Sequence, residues 1–134
     1  MSRLLRMPEA PLLQEPGPPR ATLKWVTAVF RPERLGEVSE ALHRWGPCGG
    51  LTIAETCGDG SAGPVRYYRG VPLIVRTARR FKLEVVVAEN QVPEAIGRLR
   101  RAARTGRGGG GKIWVSDVLS LLRIRTGEGR MAAL

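Results

Sequence analysis

Two stretches with the period of an amphipathic helix, each following a β-rich run, constrain this chain more than any other feature. In the first, Leu35, Val38, Leu42 and Trp45 recur at spacings of three and four, which puts them on one helical face. In the second, Val92, Ile96, Leu99 and Ala103 do the same, while Arg98, Arg100, Arg101 and Arg104 cover the other faces. The β-rich run Leu23–Phe30 precedes the first helix, Pro32 suits its first turn, and Gly46-Pro47 ends it. Leu51 to Cys57 reads as a second strand. Arg80 to Glu89, with Phe81–Val87 inside it, reads as a third, Lys112–Val115 as a fourth, and Leu122–Thr126 as a short fifth. The order β-α-β-β-α-β plus a short last strand predicts an α+β, ferredoxin-like sandwich. Its two helices cover one sheet face. The other face needs cover, and trimerisation is one way to supply it.

Residues 1–21, with Pro8, Pro11, Pro16, Pro18 and Pro19, read as a flexible proline-rich arm, and residues 22–134 as one folded domain. With 43% hydrophobic residues in 134 the chain can bury a core. No apolar run approaches the roughly 20 residues that span a bilayer, and no apolar stretch follows the first arginines. A cytoplasmic protein without membrane insertion is the expectation. Gly58-Asp59-Gly60-Ser61-Ala62-Gly63-Pro64 opens a stretch read as irregular to about Thr77, long enough to imply function. If the segment between Cys48 and Cys57 is a strand, its ends lie roughly 30 Å apart, beyond disulfide reach. Those cysteines and the single histidine, His43, make no metal site.

The net charge of +10 points to anionic partners. What decides function is whether the cations converge. Thr105-Gly106-Arg107-Gly108-Gly109-Gly110-Gly111-Lys112 offers bare backbone whose N–H groups can converge on an anion. Gly106-x-x-x-x-Gly111-Lys112 meets most of the Walker pattern, but Ile113 stands where Ser or Thr must hold magnesium, and a strand follows instead of a helix. A P-loop NTPase is excluded on both counts. In a strand, Arg123 and Arg125 project from one face, so two guanidinium forks would lie side by side for phosphate oxygens.

A ferredoxin-like RNA-binding module is the competing reading, because the charge permits it. Trp25 and Trp114 are the strand tryptophans, yet no RNP motif surrounds them, and no nucleic-acid partner is expected. An enzyme is not expected either: nothing pairs a nucleophile with a base.

From about Leu23 onward the chain resembles the PII signal-transduction proteins. The resemblance rests on Phe30-Arg31-Pro32, Leu51-Thr52-Ile53-Ala54-Glu55, Tyr68-Arg69-Gly70, Lys82-Leu83-Glu84-Val85-Val86-Val87, Ala102-Ala103-Arg104-Thr105-Gly106, Gly111-Lys112-Ile113-Trp114-Val115 and Arg123-Ile124-Arg125-Thr126-Gly127-Glu128. It implies a homotrimer that binds ADP, ATP or AMP between subunits, needs no further cofactor, and signals to a target transporter or enzyme through a T-loop. It assigns phosphate contacts to Gly109, Gly110, Gly111 and Lys112 of a B-loop at about 105–112, and to Arg123 and Arg125 of a neighbouring subunit. Thr52, Glu84 and Val86 fall at adenine-contacting positions. The T-loop corresponds to about 58–77, and a C-terminal loop to about 126–134.

The departures bear on the effector. Leu73 stands where the family carries a nucleotidylation tyrosine, so no uridylylation of the usual kind is expected. Ser61 or Ala62 falls at the place of the T-loop glutamine, and Arg80 replaces a lysine that contacts 2-oxoglutarate. The T-loop base arginine is lost near Gly60, and Gly110 replaces an acid. These changes argue against 2-oxoglutarate, assign Arg80, Ser61 and Arg69 to effector or T-loop roles, and favour a divergent PII-like branch of the carbon-metabolism or carboxysome-associated type. There a small anion such as bicarbonate accompanies the nucleotide.

Overall fold

A computed structural model describes residues 23–46, 50–59, 65–74, 77–108, 110–129 and 133–134. The proline-rich arm, Cys48, Ser61 and Gly109 lie outside them. Strand β1 (Leu23–Phe30) leads into a short 3-10 turn (Pro32–Arg34) and helix α1 (Leu35–Trp45). Strand β2 (Thr52–Asp59), a hairpin of β3 (Val65–Tyr68) and β4 (Val71–Ile74), and the long β5 (Thr77–Ala88) follow. A 3-10 turn (Glu89–Gln91), helix α2 (Val92–Ala103) and β6 (Gly111–Val118) complete the order.

The main sheet runs β2-β5-β1-β6 with every neighbour antiparallel. This is the order expected of a split βαβ unit, with the first strand central. Val26, Ala28 and Phe30 of β1 and Leu83, Val85 and Val87 of β5 pack beneath Val38 and Leu42 of α1 and Leu99 and Ala103 of α2. Burying a side chain such as Leu42 contributes about 1.5–3 kcal/mol. Gly46 closes α1 at φ +85, a conformation glycine adopts without Cβ strain, and its N–H reaches the Leu42 carbonyl at 3.4 Å. The Gln91 side chain accepts from the Ala88 N–H at 3.1 Å and fixes the entry to α2.

The opposite sheet face carries no helix among the described residues. Register places Thr52, Glu84, Thr27 and Trp114 in one row across it, with Trp25, Val86 and Ser116 in the next. Trp25 and Trp114 remain 37% and 42% exposed, whereas Thr27 is fully buried.

Two expectations are corrected. The stretch read as irregular to Thr77 contains the β3–β4 hairpin, and β5 already begins at Thr77. Arg69 (φ 51) and Gly70 (φ 78) both take positive φ, the geometry of a two-residue hairpin turn matched to strand twist. The predicted fifth strand does not form. Leu122 makes a single bridge to Gly129. The chain turns back between them, with the Arg123 N–H donating to Glu128 and the Gly127 N–H to Arg123, both at 2.8 Å. Arg123 and Arg125 are therefore not neighbours on one strand face.

Candidate functional site

The glycine segment leaves α2 at Arg104 and enters β6 at Gly111. Thr105 Oγ1 accepts from the Arg107 N–H at 3.2 Å, a local turn that starts the loop. Arg31 donates to the Gly108 carbonyl, and Arg107 pairs with Glu33 at 2.8 Å. Arg34 Nε donates to the Ala102 carbonyl at 2.8 Å and satisfies the end of α2. The segment after β1 thus holds the loop from below. Gly111 has a reason of its own. At φ +107, a Cβ there would lie 1.8 Å from the Val29 carbonyl oxygen. Gly110 has ordinary room, with a Cβ meeting nothing closer than 3.5 Å.

Beside this loop opens a cleft of about 500 Å³. Its wall carries Gly110, Gly111 and Lys112 together with Arg100 and Arg104, and its floor is apolar through Ala28, Ile96 and Ile113. A second cavity of about 210 Å³ lies on the open sheet face, lined by Thr52, Glu84, Val86 and Trp25 and by Leu121, Ala133 and Leu134. Glu84 pairs with Lys82 at 2.9 Å. Arg123 donates to the Leu134 carbonyl oxygen at 2.7 Å and holds the C-terminal residues against this cavity. Arg125 is exposed in the turn.

The predicted binding residues therefore fall into two groups. Gly110, Gly111 and Lys112 share the loop cleft; Thr52, Glu84 and Val86 share the open-face cavity, with Arg123 behind it. Within one chain the groups lie on different strands: Thr52 is on edge strand β2 and Glu84 and Val86 on its neighbour β5, whereas the loop leads into the opposite edge strand β6. β2 and β6 are separated by three strand spacings, or about 14 Å at ~4.8 Å each.

The family profile described as Nitrogen regulatory protein P-II matches residues 23–128. The chain belongs to the P-II family. It is 42% identical over 113 residues to a nitrogen regulatory protein P-II of Bradyrhizobium diazoefficiens, covering 84% of this chain and all of that one. The corresponding protein of Synechocystis is 44% identical over 107 residues, covering 79% and 95%. Nitrogen regulatory protein GlnK of Escherichia coli is 40% identical over 113 residues, covering 84% and 100%. A crystal structure of Arabidopsis thaliana PII bound to citrate superposes with a TM-score of 0.69 at 33% identity, covering 87% of this chain and 95% of that one. A regulatory, signal-transducing role follows for this P-II chain, and the ferredoxin-like architecture agrees with the match.

Of the residues expected to serve an effector, Arg80 lies on the stalk that β2 and β5 form and Arg69 on the hairpin. Arg80 projects from β5 on the open face, in register with Thr56, and its Nη1 donates to the Arg79 carbonyl at 2.7 Å. Arg69 occupies the hairpin tip, with its guanidinium 5.5 Å from the centre of the Tyr68 ring. Beside it Tyr67 and Val71 are 74% and 60% exposed. Cys57 is an exposed free thiol on the stalk. Among the described residues no group of His, Cys, Asp and Glu could hold a metal, and no helix is long and apolar enough to cross a membrane.

Sequence reasoning missed the supports of the P-II loop: Arg31, Glu33 and Arg34. The loop partners of Arg31 and Glu33 lie 77 and 74 residues away in sequence, beyond any local pattern. The signal available was charge alone, three ionic residues around Pro32 where a first helical turn needs none of them. Arg100 and Arg104, expected on the outer faces of the helix, line the cleft as well.

Proposed function

We propose that this P-II chain is a trimeric regulator that binds an adenine nucleotide, ADP, ATP or AMP, at clefts between subunits and signals to a target protein through the 58–77 segment. The observation that carries this reading is the division of the expected binding residues between two separate cavities, one beside the loop that enters edge strand β6 and one on the open face over β2, β5 and β1. The loop cleft supplies Lys112 and backbone donors for phosphate. The open-face cavity supplies Thr52, Glu84 and Val86, a polar and apolar seat fit for a base. Docking one copy's loop edge against the next copy's open face joins the halves and covers the exposed Trp25 and Trp114 at once. A ring of such contacts closes with three copies.

Binding at a junction between subunits moves the hairpin only through differential affinity for its positions. The stalk formed by β2 and β5 runs unbroken from Thr52↔Glu84 at the open-face cavity to Asp59↔Thr77, toward the hairpin end of the chain segment. Arg80 on that stalk, with Ser61, is the proposed seat of a small anion such as bicarbonate. No catalytic role is assigned.

Titration calorimetry with ADP, ATP and AMP, with and without bicarbonate, tests the reading alongside light-scattering mass. Saturable nucleotide binding by a species of three chains is expected. A monomer that binds none of the three nucleotides contradicts it. Identical ADP affinities with and without bicarbonate remove the co-effector. Exposed Trp25 and Trp114 on a basic sheet are the observation that favours RNA instead. Steeply salt-dependent RNA binding without nucleotide binding is the result that reading requires.

A further inference from the structure

Helix α2 carries three arginines and its C-cap, Arg104, is a fourth, and the structure sorts them into two pairs. Arg98 is engaged on the helix, pairing with Glu94 at 3.0 Å and lying 5.8 Å from the centre of the Trp45 ring. Arg101 Nε donates to the Gly97 carbonyl at 3.2 Å. Arg100 and Arg104 differ. Both line the loop cleft, both are exposed, and neither guanidinium has a hydrogen-bond or ion-pair partner among the described residues. They stand four residues apart on one face, where like charges repel. Lys112 lines the same cleft and is likewise without a carboxylate partner there. Arg107, by contrast, is already held by Glu33.

A simpler role for the two arginines would be to cap α2. Cations do favour the last turn of a helix, but Arg34 already occupies the Ala102 carbonyl and the Arg104 N–H occupies that of Arg100. Three cations with free donors and no acid therefore converge on one concave, glycine-walled cleft. The missing component is a ligand with several anionic oxygens spaced along a chain.

We infer that Arg100 and Arg104 extend the anion site of the glycine loop along the last turn of α2, and that this extension takes the outer phosphates of a polyphosphate chain. The inference deepens the nucleotide reading, because it makes affinity rise with phosphate number. Lys112 and the loop N–H groups hold the phosphates nearest the loop, and the two guanidinium forks bind those beyond, each able to engage two oxygens.

The test uses the full chain and inorganic tripolyphosphate, which has no base, followed by AMP and ATP. The variant is R100Q/R104Q, and R44Q/R101Q removes the same charge away from the cleft. Thermal melts establish that both fold. Tripolyphosphate and ATP affinity should fall about tenfold in R100Q/R104Q, two exposed charge contacts being worth roughly that factor. AMP affinity should stay within about twofold, and R44Q/R101Q should bind like the parent. Failure of the parent chain to bind tripolyphosphate, equal binding by R100Q/R104Q, or an equal loss in R44Q/R101Q overturns the inference. Tripolyphosphate binding that depends on Arg100 and Arg104, in a chain that binds no nucleotide, would leave it standing and remove the nucleotide reading alone.

Discussion

Replacing Gly111 by alanine separates what the fold demands of the glycine loop from what a ligand demands. A Cβ at this position would lie 1.8 Å from the Val29 oxygen, 2.8 Å from the Val29 carbonyl carbon and 3.0 Å from Phe30 Cα. All three are backbone atoms of the central strand, so no side chain can rotate away. The residue also sits at φ +107, where an L side chain costs about 1–2 kcal/mol. Forcing atoms into a packed region adds about 1–3 kcal/mol. The sum, about 2–5 kcal/mol, falls on the first β1–β6 pair, Phe30↔Gly111. A midpoint loss of roughly 8–40 °C follows at about 4–8 °C per kcal/mol. Gly110→Ala is the matched control, because its Cβ meets only ordinary contacts at 3.5 and 3.6 Å. It should leave stability unchanged, or raise it by about 0.4–1 kcal/mol if its φ suits alanine. Denaturant unfolding of both variants at one fixed protein concentration reads the difference. A Gly111→Ala variant within about 0.5 kcal/mol of the parent would refute the argument, since that is the ordinary spread of inert substitutions.

Leu99→Ala should cost about 2–5 kcal/mol by opening a cavity under α2, because Leu99 is fully buried in the core; denaturant midpoints check it, and a smaller loss would mean the site collapses. Arg69→Gly should slow amide exchange in the hairpin about twofold, as relief of about 1–2 kcal/mol of positive-φ strain outweighs about 0.5–1 kcal/mol of added chain entropy; faster exchange would contradict the turn geometry. The hydrogen bond to Asp117 raises the Lys24 ammonium above its ordinary 10.5, with the Asp117 and Glu89 charges adding to it and burial opposing it. A raised folded value stabilises fully below 10.5 and is lost as pH climbs through it. Asp117→Asn should therefore show a stability deficit at neutral pH that closes well above 10.5, and a deficit constant with pH would refute the pairing.

Much of the fold was legible because the core obeys simple periods. Leu35, Val38, Leu42 and Trp45 lie along α1 with Val38 and Leu42 innermost, and β1 alternates Val26, Ala28 and Phe30 toward the helices. The hairpin was not legible because its turn uses Arg69 at positive φ, where glycine, asparagine or aspartate usually signals the geometry. Alternation misled at Leu122–Thr126. The pattern states which residues would share a face, not whether a partner strand is present, and here Ile124 is 99% exposed in a turn closed by Arg123, Gly127 and Glu128. β6 runs on past Val115 to Val118 because pairing with β1 carries the polar Ser116 and Asp117. At the site, the glycines and Lys112 stood out as a local run. Their anchors Arg31 and Glu33 come from the far end of the chain, and the cleft-facing role of Arg100 and Arg104 depends on how α2 rolls against the sheet.

A subunit-mixing experiment tests the shared site most directly. Lys112→Ala removes the loop-cleft cation and Glu84→Ala removes an open-face cavity side chain, and each variant alone should lose ADP binding. If one copy supplies the loop and the next supplies the cavity, trimers assembled from both variants at equal amounts regain intact sites. About a quarter of junctions then join an unaltered loop to an unaltered cavity, and calorimetry should read that fraction with the parent's affinity. No recovery in mixed trimers, despite proven exchange of subunits, would place both groups in one copy's site and contradict the account.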